Sequence, residues 1–271
     1  SIALTESALG DPSCRRTAQT LSMMPIDMAY ESSRLVSRWV GALLAQGLFH
    51  EDEAVRVLVI HLLSRLAVEG GGRGEHKMLA TRISIALERC LDDRSLTLQR
   101  HVVEALGAVA VGVAHENGGL AARCVSALAE RGLVQEDRLV RISVVGILGR
   151  IAVDAGIEEV ERGGKDLRQR TRASAEASAG NLTLQCVSAL LRGGLVQEKD
   201  PGVRVLVMET LAGLAATAMR GTARTVPLVA RISRGLGERL SADGSSIARR
   251  AAVEAMGRLT RGALHAGGLK R

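Results

Sequence analysis

Cysteine and histidine, the side chains that most often carry chemistry in proteins, are few and scattered in this sequence. The cysteines are Cys14, Cys90, Cys124 and Cys186. They have no C-x-x-C spacing, so they indicate neither a zinc site nor a disulfide framework. The histidines, which form no metal-ligand spacing, are His50, His61, His76, His101, His115 and His265. With no glycine-rich phosphate loop, nucleophile elbow or paired carboxylates, the sequence predicts no catalytic residue, metal or cofactor.

The composition favours a helical core. Of the 271 residues, 46% are hydrophobic but only 1% are aromatic, namely Trp39, Phe49 and Tyr30. Sheets normally draw on aromatic and β-branched residues, whereas a core of alanine and leucine suits closely packed helices. No uninterrupted apolar run approaches the roughly 18 residues that indicate a membrane span. The N-terminal residues lack the apolar core of a secretory signal. Free, mostly buried thiols predict a reducing intracellular compartment, cytoplasmic or organellar.

Two closely related segments reveal an internal repeat. Cys124–Asp137 reads CVSALAERGLVQED, and Cys186–Asp200 reads CVSALLRGGLVQEKD. Related segments open at Leu35, Leu79 and Leu228. Their apolar residues recur at spacings of three to five, which mark one face of an amphipathic helix. Each segment is therefore predicted to be the first helix of a repeating unit.

Two positions of this first helix recur in an informative way. Cys124 and Cys186 occupy the position that Trp39, Ile83 and Ile232 hold in other copies, which predicts buried thiols. A glycine followed by leucine closes three copies, at Gly47, Gly132 and Gly194. A glycine at a helix end commonly takes the left-handed conformation, so each is predicted to be a helix stop.

Each first helix is followed by a second apolar pattern that begins at an aspartate. The copies begin at Asp52, Asp93, Asp137, Asp200 and Asp243. The aspartate predicts an N-cap, and Pro201 fits the first helical position. Equivalent positions of the five copies lie 43, 42, 63 and 45 residues apart. The predicted unit is thus helix, short turn, helix, with a period of about 40–47 residues.

The phrase D-x-x-V-R at the start of the second helix resembles the HEAT-repeat consensus. It stands here as Asp52/Val55/Arg56, Asp137/Val140/Arg141 and Asp200/Val203/Arg204. The resemblance implies an all-α, right-handed α-solenoid of about five to six HEAT-like helix pairs; armadillo repeats, with a third short helix, are the alternative. It implies one solenoid over 1–271, with a partial repeat or cap at 1–29 and a tail at 265–271. In HEAT-like proteins the Asp and Arg side chains tend to form a ladder between neighbouring repeats, so these pairs are expected to be structural.

The resemblance also bears on catalysis. HEAT-like proteins are mostly scaffolds and adaptors. Deoxyhypusine hydroxylase, a HEAT-repeat enzyme, holds its di-iron centre with several His-Glu dipeptides, and this chain has only His115–Glu116. HEAT-like DNA glycosylases need aromatic side chains around an extruded base, and three aromatics do not supply them. The chain is therefore predicted not to be an enzyme.

The period breaks at 155–180, which adds about 20 residues between two repeats. Insertions in repeat arrays emerge on one face and often carry function. One interpretation is a solvated excursion; the other is a basic arm that orders on a partner. Its candidate partner-binding residues are Arg162, Lys165, Arg168, Arg170 and Arg172.

The positive charge is concentrated at the C-terminal end. The chain carries a formal charge of +7, but residues 220–271 alone carry +8. The candidate residues for an acidic partner are Arg231, Arg234, Arg249, Arg250, Arg258 and Arg261. A solvated terminal cap is the alternative interpretation, and the excess of arginine over lysine is also what GC-rich coding gives.

These features predict a protein-interaction scaffold or structural subunit of a larger assembly, with protein partners bound mainly along the second helices. The alternative is an RNA-backbone-binding subunit of a ribonucleoprotein, such as an organellar ribosome. Arginine clusters can follow a phosphate backbone. The aromatic platforms that stack single-stranded bases are missing, because all three aromatics lie in the first 50 residues.

Overall fold

The computed structural model describes residues 33–71, 76–162, 182–219 and 226–268, and within these ranges every regular element is helical. The first helices of the pairs are α1 (Ser33–Ala45), α3 (Lys77–Cys90), α5 (Gly118–Ala127), α7 (182–189) and α9 (Val226–Ala242). The second helices are α2 (Glu53–Gly71), α4 (Leu96–Val113), α6 (Arg138–Arg162), α8 (Pro201–Met219) and α10 (Ser246–Gly268). A 3-10 turn at Gly47–Phe49 follows α1, and π-helical turns extend α5 over Leu128–Gly132 and α7 over Leu190–Gln197.

The helices assemble into two compact units, Ser1–Cys124 and Val125–Arg271. In the first unit, α2 packs against both α3 and α4, and α1 packs against α3. In the second unit, α8 packs against α6, α9 and α10. Second helices therefore stack on second helices within each unit, which is the packing order of a helix-pair repeat. The prediction of a single solenoid over 1–271 stays a prediction.

The core is built from aliphatic side chains, as the composition predicts. On α8, Val203, Val207, Met208 and Leu211 have no exposed surface. Phe49, by contrast, is 78% exposed. Helices packed through valine, leucine and alanine approach closely, so the core needs no large aromatic residue.

The second helices begin with side-chain caps, but in two pairs the cap is a serine. Asp52, Asp137 and Asp200 accept hydrogen bonds from first-turn amides at 2.7–3.1 Å, as predicted. In α4 the cap is Ser95, whose hydroxyl accepts from Leu98 N, and in α10 it is Ser245. The prediction of Asp93 and Asp243 as caps is therefore wrong. Each lies two residues earlier and accepts a hydrogen bond from the N–H of the capping serine.

The prediction that the recurring glycines take a left-handed conformation is also wrong. Gly47, Gly132 and Gly194 all have a backbone φ outside that region. A Cβ added at Gly47, Gly132 or Gly194 would instead lie 2.7–2.8 Å from a methyl group of a second-helix valine. These valines, Val59, Val144 and Val207, all lie seven residues after the N-cap of their helix. The glycine recurs because the two helices of a pair cross there with no room for a side chain.

The π-helical turns explain a small difference in first-helix length. Gly132 lies twelve residues after Leu120, whereas Cys90 lies only eleven after the equivalent Leu79. A π-helical turn accommodates one extra residue in a helix, and α5 has such a turn while α3 does not. The chain thus reaches the same helix crossing from first helices of different length.

Two helices satisfy the length and composition of a membrane span, although no uninterrupted apolar run predicts one. They are α4 and α8. In both helices a continuous stripe of apolar side chains is buried against neighbouring helices. Mostly buried core helices meet the same criterion of length and composition.

Some predicted segments lie wholly or partly outside the described residues. The partial N-terminal repeat at 1–29 and most of the predicted insertion at 155–180 are among them. The first residues of that insertion do not leave the helix: α6 continues to Arg162. At the C-terminal end, α10 runs to Gly268, through the start of the predicted tail.

Candidate protein-binding surface

The turn before each second helix is held by the side chain four residues after the N-cap. Arg141 Nη1 donates to the carbonyls of Gln135 and Glu136, both at 2.8 Å. Arg204 Nη1 donates in the same way to the two carbonyls before its own cap, at 3.0 and 2.9 Å. Arg249 Nη1 repeats the first of these bonds at 3.0 Å. One edge of each guanidinium therefore binds backbone carbonyls in the turn before the arginine's own helix.

The other edge of two of these arginines reaches the next helix pair. Arg141 Nε and Nη2 bind both carboxylate oxygens of Glu198 at 2.8 and 3.2 Å. Arg204 binds both oxygens of Asp243 at 2.8 and 3.0 Å. The carboxylate side chains are only 4% and 2% exposed. The predicted ladder is confirmed, but its acid is the residue two positions before the next N-cap, not the aspartate four residues before the arginine.

The electrostatics of the Asp243 rung favour the ionised carboxylate. Burial raises the pKa of the Asp243 carboxyl, but the Ser245 N–H and the Arg204 guanidinium lower it more, so the pKa lies below its usual value. The rung between α8 and the last helix pair is therefore a buried ion pair at neutral pH. Because these groups hold the fold, they are not available for a partner.

Two positions are exposed in every second helix, nine and thirteen residues after the N-cap. In the second unit these positions are all exposed, and we call them the variable surface: Gly146, Arg150, Glu209, Gly213, Glu254 and Arg258. A Cβ at Gly146 or Gly213 would meet nothing within 4 Å. Neither glycine is needed for packing, and the backbone at both is open to a partner. Arg258 Nη2 lies 3.9 Å from Glu209 Oε1, with both side chains about half exposed.

The corresponding surface of the first unit carries a histidine pair. His61 Nε2 lies 3.2 Å from His101 Nδ1, with the rings edge to face at a centroid distance of 5.0 Å. Burial and the His101 charge lower the pKa of His61, while Glu104 opposes them. Glu104 Oε2 is 3.7 Å from His101 Nδ1. In the described part of the chain, no three His, Cys, Asp or Glu side chains form a group that could hold a metal ion.

The predicted basic residues of the C-terminal end are exposed but do not share one helix. Arg231 and Arg234 lie on α9, and the other four lie on α10, the list being Arg249, Arg250, Arg258 and Arg261. Arg250 Nε donates to Glu254 Oε1 at 2.9 Å. Arg258, four residues after Glu254, approaches Glu209 instead. Two of these six arginines therefore already face a carboxylate.

The predicted basic arm lies almost entirely outside the described residues. Arg162 ends α6, and its side chain lies outside the description. The other four candidates also lie outside the described residues: Lys165, Arg168, Arg170 and Arg172. Their role in binding stays a prediction.

The buried thiols are where the repeat places them. Cys124 and Cys186 are at most 1% exposed, at the position where Ile83 and Ile232 are buried. Burial raises the pKa of each thiol to about 12. Cys90, which is partly buried, has its pKa raised to about 11 by burial and by Asp93. A raised pKa keeps these thiols protonated at neutral pH, and the thiolate is the reactive form of cysteine.

The variable surface and the histidine pair are absent from the sequence predictions. Both become visible once residues are counted from the N-cap of each second helix, because position nine is then His61, Glu104, Gly146, Glu209 or Glu254. These five residues are the equivalent positions whose spacings gave the period of the repeat. The differences in their charge and size were the sequence signal that this position is exposed and not needed for folding.

Neither a protein-family model nor a curated protein matches this sequence. A designed armadillo repeat protein in complex with the peptide (KR)4 is 16% identical, with a TM-score of 0.48 over 96% of this chain and 99% of that one. A computationally designed armadillo repeat protein for modular peptide recognition is 17% identical, with a TM-score of 0.40 over 94% and 99%. The archaeal HEAT-like repeats protein from Thermococcus onnurineus NA1 is 13% identical, with a TM-score of 0.37 over 97% and 98%.

The class of protein follows from the chain's own geometry. Paired helices at a near-constant period, second helices stacked on second helices, and a bidentate arginine–carboxylate ladder confirm the predicted HEAT/armadillo-like repeat fold. Such a fold holds its exposed positions on rigid helices, one set per repeat.

Proposed function

We propose that this chain is a non-enzymatic protein-interaction scaffold that binds a protein partner along the variable surface of its second unit. The observation that carries the proposal is a contrast between positions of the same helices. Four residues after the N-cap stands an arginine in α6, α8 and α10, and seven residues after it stands a small buried aliphatic residue. Nine and thirteen residues after it, the residues change in charge and size from helix to helix. Folding requires the first set to recur, whereas nothing in folding requires the second to vary.

The chemistry of the variable surface suits an extended peptide or loop with mixed charge. Arg150 and Glu209 are exposed on neighbouring helices, and Gly213 leaves the α8 backbone uncovered beside them. A polypeptide can place a carboxylate at Arg150 and a basic group at Glu209, since complementary charges fix register more than they add affinity. A uniform phosphate backbone would meet Glu209 and Glu254 as repulsive groups. This arrangement favours a protein partner over RNA.

The experiment is purification of the tagged full chain from its native extract, comparing two charge-swapped variants. Arg150→Glu with Glu209→Lys alters the variable surface. Arg192→Glu with Glu238→Lys makes the same charge changes at exposed first-helix positions. A protein that co-purifies stoichiometrically with the wild type and the control, but not with the first variant, supports the proposal.

Two results would contradict the proposed scaffold function. One is a native chain without any stoichiometric protein partner; the other is a partner that both variants retain equally. The RNA alternative is tested separately by filter binding to duplex RNA over a salt series. A steep salt dependence that disappears in an Arg234→Glu, Arg258→Glu, Arg261→Glu variant would favour RNA over protein.

A further inference from the structure

One face of each second helix points toward the next helix pair. Twelve residues after the N-cap of α2, Ser64 Oγ donates to Ala105 O of α4 at 3.2 Å. At the same position of α6, a Cβ on Gly149 would lie 2.6 Å from Thr210 Cγ2 of α8. Position twelve therefore marks the stacking face, and positions eight and fifteen lie on the same face one turn away in each direction.

In α8 this face is covered, and in α10 it is not. Met208, Ala212 and Ala215, at positions eight, twelve and fifteen of α8, are at most 1% exposed. The residues at these positions of α10 are Val253, Gly257 and Thr260, of which Val253 is 54% exposed and Thr260 is also exposed. A Cβ on Gly257 would meet nothing within 4 Å. Helix α10 thus presents the small and apolar residues of a stacking face, and none of the described residues is stacked on it.

The arginine–carboxylate ladder differs between α8 and α10 in the same way. Arg249 has the position of Arg141 and Arg204, and its Nη1 makes the same bond to its own turn. Within the described residues, however, Arg249 makes no ion pair, and its side chain is exposed. Arg141 and Arg204 use the free edge for a carboxylate that lies two residues before the N-cap of the next second helix. Arg249 has the same edge, and no carboxylate of the described residues binds it there.

We propose that this end face, formed by Arg249, Val253, Gly257 and Thr260, docks a helix pair of another protein. The partner's second helix packs along Val253, Gly257 and Thr260. An Asp or Glu in the turn before that helix forms a bidentate pair with Arg249. The interface continues the repeat array across two proteins, and it is separate from the variable surface described above.

The positive charge of this end of the chain favours another protein, and not a second copy of this chain, as the partner of the end face. Residues 220–271 carry +8. Arg250 and Arg261 are exposed on the same helix as Arg249, so two end faces brought together would place like charges against each other. An acidic partner meets complementary charge. A solvated terminal cap would carry a polar outer face, whereas Val253 and Gly257 keep the residue types of a stacking face.

The test uses the full chain with a photo-crosslinking benzoylphenylalanine at Val253. The control places the same residue at Val134, which is 64% exposed in the same unit. After irradiation in native extract, the cross-linked peptide is identified by mass spectrometry. The partner protein is then titrated against the wild type, Gly257→Leu, Arg249→Glu and Gly41→Leu. Gly41 is a helical glycine whose Cβ would also meet nothing within 4 Å, so it controls for the substitution itself.

The expected adduct forms at position 253 and not at 134, and its partner peptide is the start of a helix preceded by an acid. Gly257→Leu and Arg249→Glu should each weaken binding by about tenfold or more, with no change for Gly41→Leu. A partner variant in which that acid is replaced by arginine should again bind the Arg249→Glu variant, because the charges of the pair are then exchanged. No adduct at 253, an adduct with a second copy or with RNA, or affinity unchanged by Gly257→Leu would overturn the proposal. The double variant Arg150→Glu, Glu209→Lys changes the variable surface and leaves the end face intact. A failure of the end-face proposal can therefore be distinguished from a failure of the proposed scaffold function.

Discussion

Helices α8 and α10 carry the same pattern of residues in two different settings. On α8, the face toward the next pair is covered, and its arginine holds a buried carboxylate. On α10, the corresponding arginine and valine are exposed. The same repeat pattern thus stabilises the fold where a neighbouring helix covers it, and it is exposed on α10, where none of the described residues covers it. Four predictions test this contrast: the first two change equivalent residues in both helices, and the other two change the helix crossing and the buried carboxylate that hold α8 in place.

The largest difference is expected for the two arginines. Arg204→Ala leaves the Asp243 carboxylate buried without its partner, which costs about 3–5 kcal/mol. Arg249→Ala removes one hydrogen bond to a turn carbonyl, which costs about 1 kcal/mol. Urea denaturation followed by circular dichroism measures both. Equal losses for the two variants would mean that the ladder does not hold α8 to the last pair.

The next difference concerns position eight. Met208 has no exposed surface, so Met208→Ala should destabilise the protein by about 2–5 kcal/mol through lost burial and a residual cavity. Val253 is more than half exposed, so Val253→Ala should change stability by about 0.5 kcal/mol or less. Thermal unfolding of the isolated chain gives the comparison. A large loss for Val253→Ala would show that the α10 face is covered after all.

Two glycines within the second unit should respond in opposite directions. A Cβ at Gly194 would lie 2.8 Å from Val207 Cγ2, so Gly194→Ala should destabilise by about 1–3 kcal/mol. Gly213 has no such neighbour, so Gly213→Ala should stabilise α8 by about 0.5–1 kcal/mol. The double variant Gly194→Ala, Val207→Ala should recover part of the loss. If Gly194→Ala is neutral, close helix crossing is not the reason for the recurring glycine.

The smallest effect is a pH dependence of the Asp243 rung. Its folded pKa lies below the unfolded value of about 3.9, so the stabilisation is fully present above about pH 4. It is lost as the pH falls through the folded pKa. The difference in unfolding free energy between wild type and Asp243→Asn should therefore shrink at low pH. Glu254→Gln, which changes an exposed acid, is the control. A difference that stays constant from pH 6 to pH 2 would contradict the assignment.

The sequence predicted the helix pairs because their apolar period is strong and is repeated five times. It predicted buried cysteines at first-helix positions for the same reason, since equivalent copies place isoleucine there. It misplaced the caps of α4 and α10 because Asp93 and Asp243 stand close to a serine that caps equally well. Local sequence does not show which of two capping residues accepts the first-turn amides.

The recurring glycine illustrates what sequence alone could not supply. A glycine at a helix end has two common explanations, a left-handed backbone and a close helix crossing, and only coordinates distinguish them. The sequence likewise predicted a ladder between neighbouring repeats without identifying which acid each arginine binds, an acid that lies 57 residues away for Arg141 and Glu198. Contacts between repeats depend on stacking geometry, which the pattern within one repeat does not contain.

The central claim is that recurring positions hold the fold whereas the variable surface binds a partner. It is tested most directly by measuring stability and partner binding on the same variant, Arg150→Glu with Glu209→Lys. The account predicts thermal unfolding within about 2 °C of the wild type, because exposed substitutions change stability little, together with loss of the co-purified protein. A variant that unfolds like the wild type and still retains its partner would contradict the claim.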